Sequence, residues 1–356
     1  MSGGITQLVA IGAQDVWLTG RPEVSFFRNN YKRHTNFAHV VNRQVLQGAV
    51  NASGMSSIRF ERKGDMLSYV YLTKKTGAGQ VVFTATDIDH IDFLIGGQII
   101  DSQDDYFMNY VADPLLCSSQ NKAVFPTGES GNTGLFYPFR FWFTENWQSA
   151  LPLIALQFHD VEARIYWNSA VTTTNIFEAW ADFIVLDTME RESLASGVQN
   201  HLIYQVQRSL PSKTGTQNLV FNHPIKFISS GNSNIIAGIT TSNTMLFQVN
   251  GVDIGEAKNY TPHFDMVPAF YTCPVTTATQ TTYGFLLPFC LDTTKLQPTG
   301  TLNFSRIDSA RLVTSSTFDT SGSSYTASTA GTVYIYAVNY NILKIENGMG
   351  GLMYAN

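Results

Sequence analysis

Apolar and polar residues alternate with a period of two along much of this chain. Ser57-Ile-Arg-Phe-Glu-Arg62 and Val161-Glu-Ala-Arg-Ile-Tyr-Trp167 each place their apolar side chains on one face, as a half-buried strand does. Leu67 to Thr73 is rich in β-formers, and Thr244 to Gly251 and Thr332 to Asn339 read the same way. Turn signals punctuate these runs at Lys63-Gly64, Asn250-Gly251, Pro298-Thr-Gly300 and Ser321-Gly322. One stretch, Asp101 to Ala112, predicts a short helix between strands. Many short strands with little helix predict an all-β sandwich.

The chain also resembles itself. Phe93-Leu-Ile-Gly-Gly-Gln-Ile-Ile100 matches Phe247-Gln-Val-Asn-Gly-Val-Asp-Ile254. At a shift of 146 residues, Tyr137, Phe139 and Phe143 fall on Tyr283, Phe285 and Phe289. The same shift carries Pro152, Leu156 and Phe158 onto Pro298, Leu302 and Phe304, and one residue later Ala163-Arg164 falls on Ala310-Arg311. The order is kept and the period is that of a whole domain, far longer than a solenoid repeat. The chain of 356 residues suits two such domains. The expectation is two tandem eight-stranded jelly-roll sandwiches, a double jelly roll with short helices in its loops. The expected divisions are an N-terminal arm at 1–30, a first jelly roll at 31–190, a linker at 191–200 and a second jelly roll at 201–356. The polar, unpatterned stretch Asp187 to Asn200 supplies the bridge.

Composition narrows the function. Charged residues make up 14%, well below the roughly 25% of an average globular protein. Aromatics reach 13%, which suits strands whose surfaces partners cover. The net charge is −5 with no basic tail, so no footprint for gripping a nucleic-acid backbone is present. The short basic run Arg28 to Arg33 reads as a solvated or inter-subunit face. Cys117, Cys273 and Cys290 are too few for a disulfide framework and point to assembly in a reducing compartment. No CxxC or HExxH pair, no secretory leader and no stretch of about 18 apolar residues is found.

At this point the sequence resembles the major capsid proteins of the nucleocytoplasmic large DNA viruses. The residues that carry the likeness begin with Gly3 to Gly20, Pro22 to Phe27 and Tyr31 to Phe37. They continue with Ile95-Gly-Gly-Gln98 and Asp101, Phe221-Asn-His-Pro224, Gln297 to Asp308 and the tail Asn339 to Gly351. The resemblance implies tandem jelly rolls, a pseudo-hexagonal homotrimeric capsomer, and an icosahedral shell over an inner membrane. It implies neighbouring capsomers and minor capsid proteins as partners, an N-terminal arm reaching toward neighbours or that membrane, and assembly in the host cytoplasm. Family members are commonly longer; the modest connections Cys273 to Thr282 and Thr314 to Ala330 imply a shorter outer tower. A minor capsid protein or a membrane-shaping scaffold of the same family remains the alternative.

Candidate chemistry is thin. Asp87, Asp89 and Asp92 lack the glycine and closing glutamate of a calcium loop and read as solvated turn carboxylates. Asp101, Asp104 and Asp105 read as caps or flanks of the short helix. His159-Asp160 has no nucleophile motif beside it and reads as a structural pair. Asn347 to Gly351 opens no helix and cradles no phosphate. Sequons stand at Asn51, Asn259 and Asn303, with Asn259 the best exposed candidate for glycosylation and Asn51 the second; cytosolic synthesis keeps both from the modifying enzymes. No catalytic residue, metal ligand or cofactor is expected. The rival functions are a sandwich lectin using Trp147, Trp180 or Tyr271, and a cupin-type enzyme, which needs clustered histidines where the seven here are scattered.

Overall fold

A computed structural model gives the architecture. It describes residues 4–5, 9–10, 12–77, 79–84, 87–117, 135–210, 215–230, 243–273, 285–315 and 334–354. The chain forms two compact units, 1–36 and 37–356. In the first, a single helical turn, Val16–Thr19, follows a loop in which the Asp15 carboxylate accepts from Gly12 N at 2.7 Å. Its described residues are exposed almost throughout, Trp17, Phe26 and Phe27 among them.

The second unit begins with two antiparallel sheets. One runs in the order Phe37–Gln44, Ile176–Leu186, Met66–Thr76, Gly79–Gln80; Phe136–Pro138 and Leu151–Pro152 also pair with Met66–Thr76. The other runs Leu46–Gln47, Met55–Arg59, Val161–Trp167, Ile88–Ile95, Gln98–Asp104. Alternation sets the inward faces: Val161, Ala163, Ile165 and Trp167 are buried and the residues between them half-buried. Strands far apart in sequence lie side by side, and this is the jelly-roll winding.

A second pair of sheets repeats the winding with residues 199–352. Gln199–Ser209, Ile335–Glu346, Pro224–Ser230 and Leu286–Pro288 form one sheet, with Leu302–Asn303 also on Pro224–Ser230 and Met349–Leu352 on Ile335–Glu346. Thr216–Asn218, Ala310–Thr314, Thr244–Val249 and Val252–Asp253 form the other, with Lys258–Asn259 also on Thr244–Val249. The protein is therefore a double jelly roll, all-β with short helices.

The registers show which parts of the sequence repeat are structural. Phe93 faces Ala163 and Phe247 faces Leu312, and each strand turns back through a tight hairpin. Gly96 and Gly97 have positive φ, as do Asn250 and Gly251, so the match from Phe93 to Ile100 is a true equivalence. The matches at 146 residues are out of register. Pro138 faces Tyr71 and Pro288 faces Phe227, an offset of 150 residues. Leu151-Pro152 stands where Leu302-Asn303 does, and Val161 faces Ile95 as Ala310 faces Val249. Ala163 therefore corresponds to Leu312, not Ala310. A pattern of period two scores well at any even slip, so alternation alone does not fix the offset. Tyr283 lies outside the described residues.

The prediction of a helix over Asp101 to Ala112 needs correction. Its first residues extend the strand Gln98–Asp104, and a π-helical turn, Phe107–Ala112, and a helix, Asp113–Leu116, follow. Asp104 still caps the turn, accepting from Phe107 N at 2.9 Å. The bridge between rolls holds a helix, Thr188–Ala195, capped by Asp187; it buries no residue, so no apolar stripe announced it. The connections from Cys273 to Thr282 and from Thr314 to Ala330 lie outside the described residues beyond Cys273 and Ser315, as does the turn at Ser321-Gly322.

Candidate functional site

Most sequence candidates for chemistry disperse in the fold. Asp87 and Asp92 are buried rather than solvated, which corrects the turn-carboxylate reading. Lys74 Nζ donates to both Asp87 oxygens at 2.9 and 2.8 Å, and Thr84 N donates at 2.8 Å. Asp89 alone stays exposed, 2.7 Å from His90 Nδ1, which holds its carboxyl below the usual range. Among the described residues no group of three acidic, histidine or cysteine side chains converges as metal ligands would. His159 does not pair with Asp160: its Nδ1 sits 2.9 Å from the Gly350 carbonyl oxygen, and Asp160 binds Arg59 at 2.6 Å. His159 thereby ties the first roll to the last strand. Asn347 and Gly348 form the hairpin turn into Met349–Leu352. Asn51 and Asn259 are exposed; Asn303 is also exposed, and its side chain accepts from Ser305 N at 3.0 Å. The three cysteines are buried thiols; burial raises Cys117 to about 12 despite Arg140 beside it.

The features that remain are surfaces. The first is internal, where one roll packs on the other within residues 37–356. One hydrophobic core runs continuously from Phe93, Phe107 and Leu115 to Phe227, Val338 and Leu343. The second roll has its own inner core around Ile228, Phe247 and Leu312. Phe107 meets Tyr336 with ring centroids 5.5 Å apart. Polar groups fix the register of this seam. Tyr336 OH donates to Asp104 Oδ2 at 2.7 Å, Val206 N to Asp101 Oδ1 at 2.9 Å, and Tyr204 OH to the Arg140 carbonyl at 3.1 Å. Burial raises Asp101 to about 7, against the opposing pull of the Val206 and Gln103 hydrogen bonds. Beneath the seam the buried Arg140 guanidinium is held by Asp113 at 3.0 Å and Glu145 at 3.3 Å.

The second surface is open. On the outer face of the first roll lies a mainly apolar groove of about 1110 Å³. Phe37 and His39, Val70 and Tyr71, Phe136 and Trp147 line it. Trp147 is 75% exposed, and His39 Nδ1 is 2.8 Å from the fully buried Asp182. An open, mainly apolar groove is a candidate partner surface. The lectin candidates do not share a platform: Trp147 lines this groove, Trp180 stands on a strand of the same sheet, and Tyr271 is on a helix of the second roll. Sequence reasoning missed the groove because its residues come from separate strands and a loop, and neighbours such as Val70 and Tyr71 share no single parity along their strand.

Comparison with known proteins gives a consistent picture. Residues 25–198 match the family described as major capsid protein N-terminus, and residues 232–351 match the large eukaryotic DNA virus major capsid protein family. The major capsid protein of Paramecium bursaria Chlorella virus 1 is 32% identical, with both chains covered in full. That of Pyramimonas orientalis virus is 29% identical, again over both whole chains. Among solved structures, a chain of the PBCV-1 virus capsid matches with a TM-score of 0.74 at 27% identity, covering 93% of this chain and 100% of that one. The Faustovirus major capsid protein shares the fold, with a TM-score of 0.62 at 9% identity over 94% of each chain.

Proposed function

The chain belongs to the major capsid proteins of large eukaryotic DNA viruses, a structural shell protein and not an enzyme, and from that premise we propose that it works as a homotrimeric, pseudo-hexagonal capsomer tiling an icosahedral shell. The observation that carries this reading is the repeated winding. Two rolls with the same strand order stand side by side in one chain. Three copies supply six similar wedges around an axis, and six wedges tile a surface in a hexagonal net. The thin charge and open apolar groove suit a surface that partners cover.

The same reading gives the remaining parts their places. Residues 1–30 act as an arm toward neighbouring capsomers or an inner membrane, supported by the exposed apolar side chains of Trp17, Leu18, Phe26 and Phe27. Minor capsid proteins are further partners, and three buried thiols outside any disulfide suit assembly in the host cytoplasm. Light scattering on the purified full chain tests the core of it. The expected mass is three times the 39.4 kDa of the chain, stable on dilution. A monomer or a dimer at micromolar concentration contradicts it.

A further inference from the structure

The groove on the first roll has a counterpart on the second roll, and there it is filled. The strand pairings make the comparison strand by strand. Phe37 faces Leu186 and His39 faces Ile184; in the second roll Leu202 faces Ile342 and Tyr204 faces Tyr340. Val70 accepts from Phe139 N as Lys226 accepts from Phe289 N, both at 2.9 Å. Leu202, Tyr204, Tyr340 and Lys226 thus stand on the strands of the second roll that correspond to those of Phe37, His39, Ile184 and Val70 in the first. Those four line an enclosed space of only about 20 Å³. The first-roll equivalents line about 1110 Å³.

What fills the second-roll site comes from the first roll. Leu116, Glu145 and Asn146 close it. Leu116 ends the helical segment that follows the strand Gln98–Asp104 and runs into Cys117. The second roll has the same segment. Asp104 faces His90 and Asn259 faces Thr244, at equivalent points on equivalent strands. Helices Tyr260–His263 and Met266–Thr272 follow, and the chain then reaches Cys273. In the first roll the residues before the cysteine, Leu115 and Leu116, are buried. In the second, Phe270 and Tyr271 are 79% and 77% exposed.

We propose that the helix Met266–Thr272 of one copy seats Phe270 and Tyr271 in the Phe37–Tyr71–Trp147 groove of the next copy, repeating between chains the packing that joins the two rolls within one. The occupant is a second copy of this chain, because the template for the contact is this chain's own seam. The contact is head-to-tail, and copies linked in that way close into a ring when the rotation between them is that of the threefold axis. Polar complementarity follows at the equivalent of the Asp104–Tyr336 bond. Thr73 faces Glu178 where Ser229 faces Tyr336, so Asn259 of one copy is brought opposite Glu178 of the next, an amide donor to a carboxylate acceptor. This inference rests on the homotrimer reading and assigns its faces.

A photo-cross-linking residue tests it. Tyr271→p-benzoylphenylalanine in the purified full chain is irradiated, and the joined peptides are identified by mass spectrometry. The expected partner peptides carry residues 66–71 or 136–147 and arise between copies, shown by mixing isotopically light and heavy chains. A second variant, Phe270→Asp with Tyr271→Asp, is expected to weaken self-association on the order of 30-fold or more, the effect of removing interface anchors, with an unchanged circular dichroism spectrum. If the unmodified chain is trimeric but the cross-links fall elsewhere, or the folded double variant associates as before, this inference is overturned and the capsomer reading stands. If the unmodified chain is a monomer, the capsomer reading itself has failed. Should the double variant misfold, the cross-link map alone decides.

Discussion

Asp101 is a carboxylate that the seam between the rolls prefers uncharged. Burial raises it from 3.8 to about 7, so its folded pKa lies above its unfolded one. A group shifted that way stabilises the fold fully below the unfolded value and loses that contribution as pH rises through the folded value. Asp104, also raised by burial, acts in the same direction. The melting temperature should therefore fall between about pH 4 and pH 7, and Asp101→Asn should flatten that slope, read by calorimetry at several pH values. A wild-type-like slope in the variant contradicts the assignment. Arg140 is the opposite case, a buried cation that two carboxylates require. Arg140→Met removes the guanidinium from beside Asp113 and Glu145 and should cost about 3–5 kcal/mol in urea unfolding. Asn259 is exposed in the single chain but falls on the proposed inter-copy face. Expressed through a glycosylating secretory route, the chain should fail to form trimers when Asn259 is modified, and Asn259→Gln should restore them, as native mass spectrometry will show.

At the scale of elements, the hairpin through Gly96 and Gly97 shows what the sequence carried and what it did not. Gly96 has φ +58°, and a Cβ there would lie 2.5 Å from His159 Nδ1. Its twin Asn250 has φ +50°, and its side-chain oxygen accepts from Asp308 and Ser309 N at 3.0 Å. Asparagine tolerates the left-handed conformation, so both hairpins keep the turn with different residues. Gly96→Ala should cost about 1–3 kcal/mol, and Gly96→Asn should not rescue it, because the clash is at Cβ. This hairpin was legible because its turn residues anchor the alignment. Farther on, the repeat read at 146–147 residues is two to five residues out of register, since alternating strands carry little that fixes the offset. The strands Val161–Trp167 and Met66–Thr76 were legible from alternation and β-branched content. The helix Thr188–Ala195 was not, because it buries nothing. The π-helical turn at Phe107 was placed with its start too early, because the acidic residues before it belong to a strand whose carboxylates serve the seam. The groove was invisible in sequence because it exists only where one roll lacks the neighbour that the other has.

At the scale of the whole molecule, one chain contains a finished joint and the two halves of an unfinished one. The seam buries Phe227 and Val338 completely, while their first-roll equivalents, Tyr71 and Trp180, stay partly open. The proposed arm at the N-terminus would act at the next level, between capsomers. Deleting residues 1–20 should leave folded trimers intact and impair their packing into larger arrays; trimers that fail to fold contradict the arm. The central claim is that three copies present six equivalent rolls around one axis, and electron microscopy of the purified oligomer tests it most directly. The account predicts a six-lobed particle with threefold symmetry that packs into hexagonal arrays. A three-lobed, twofold or single-chain particle contradicts it.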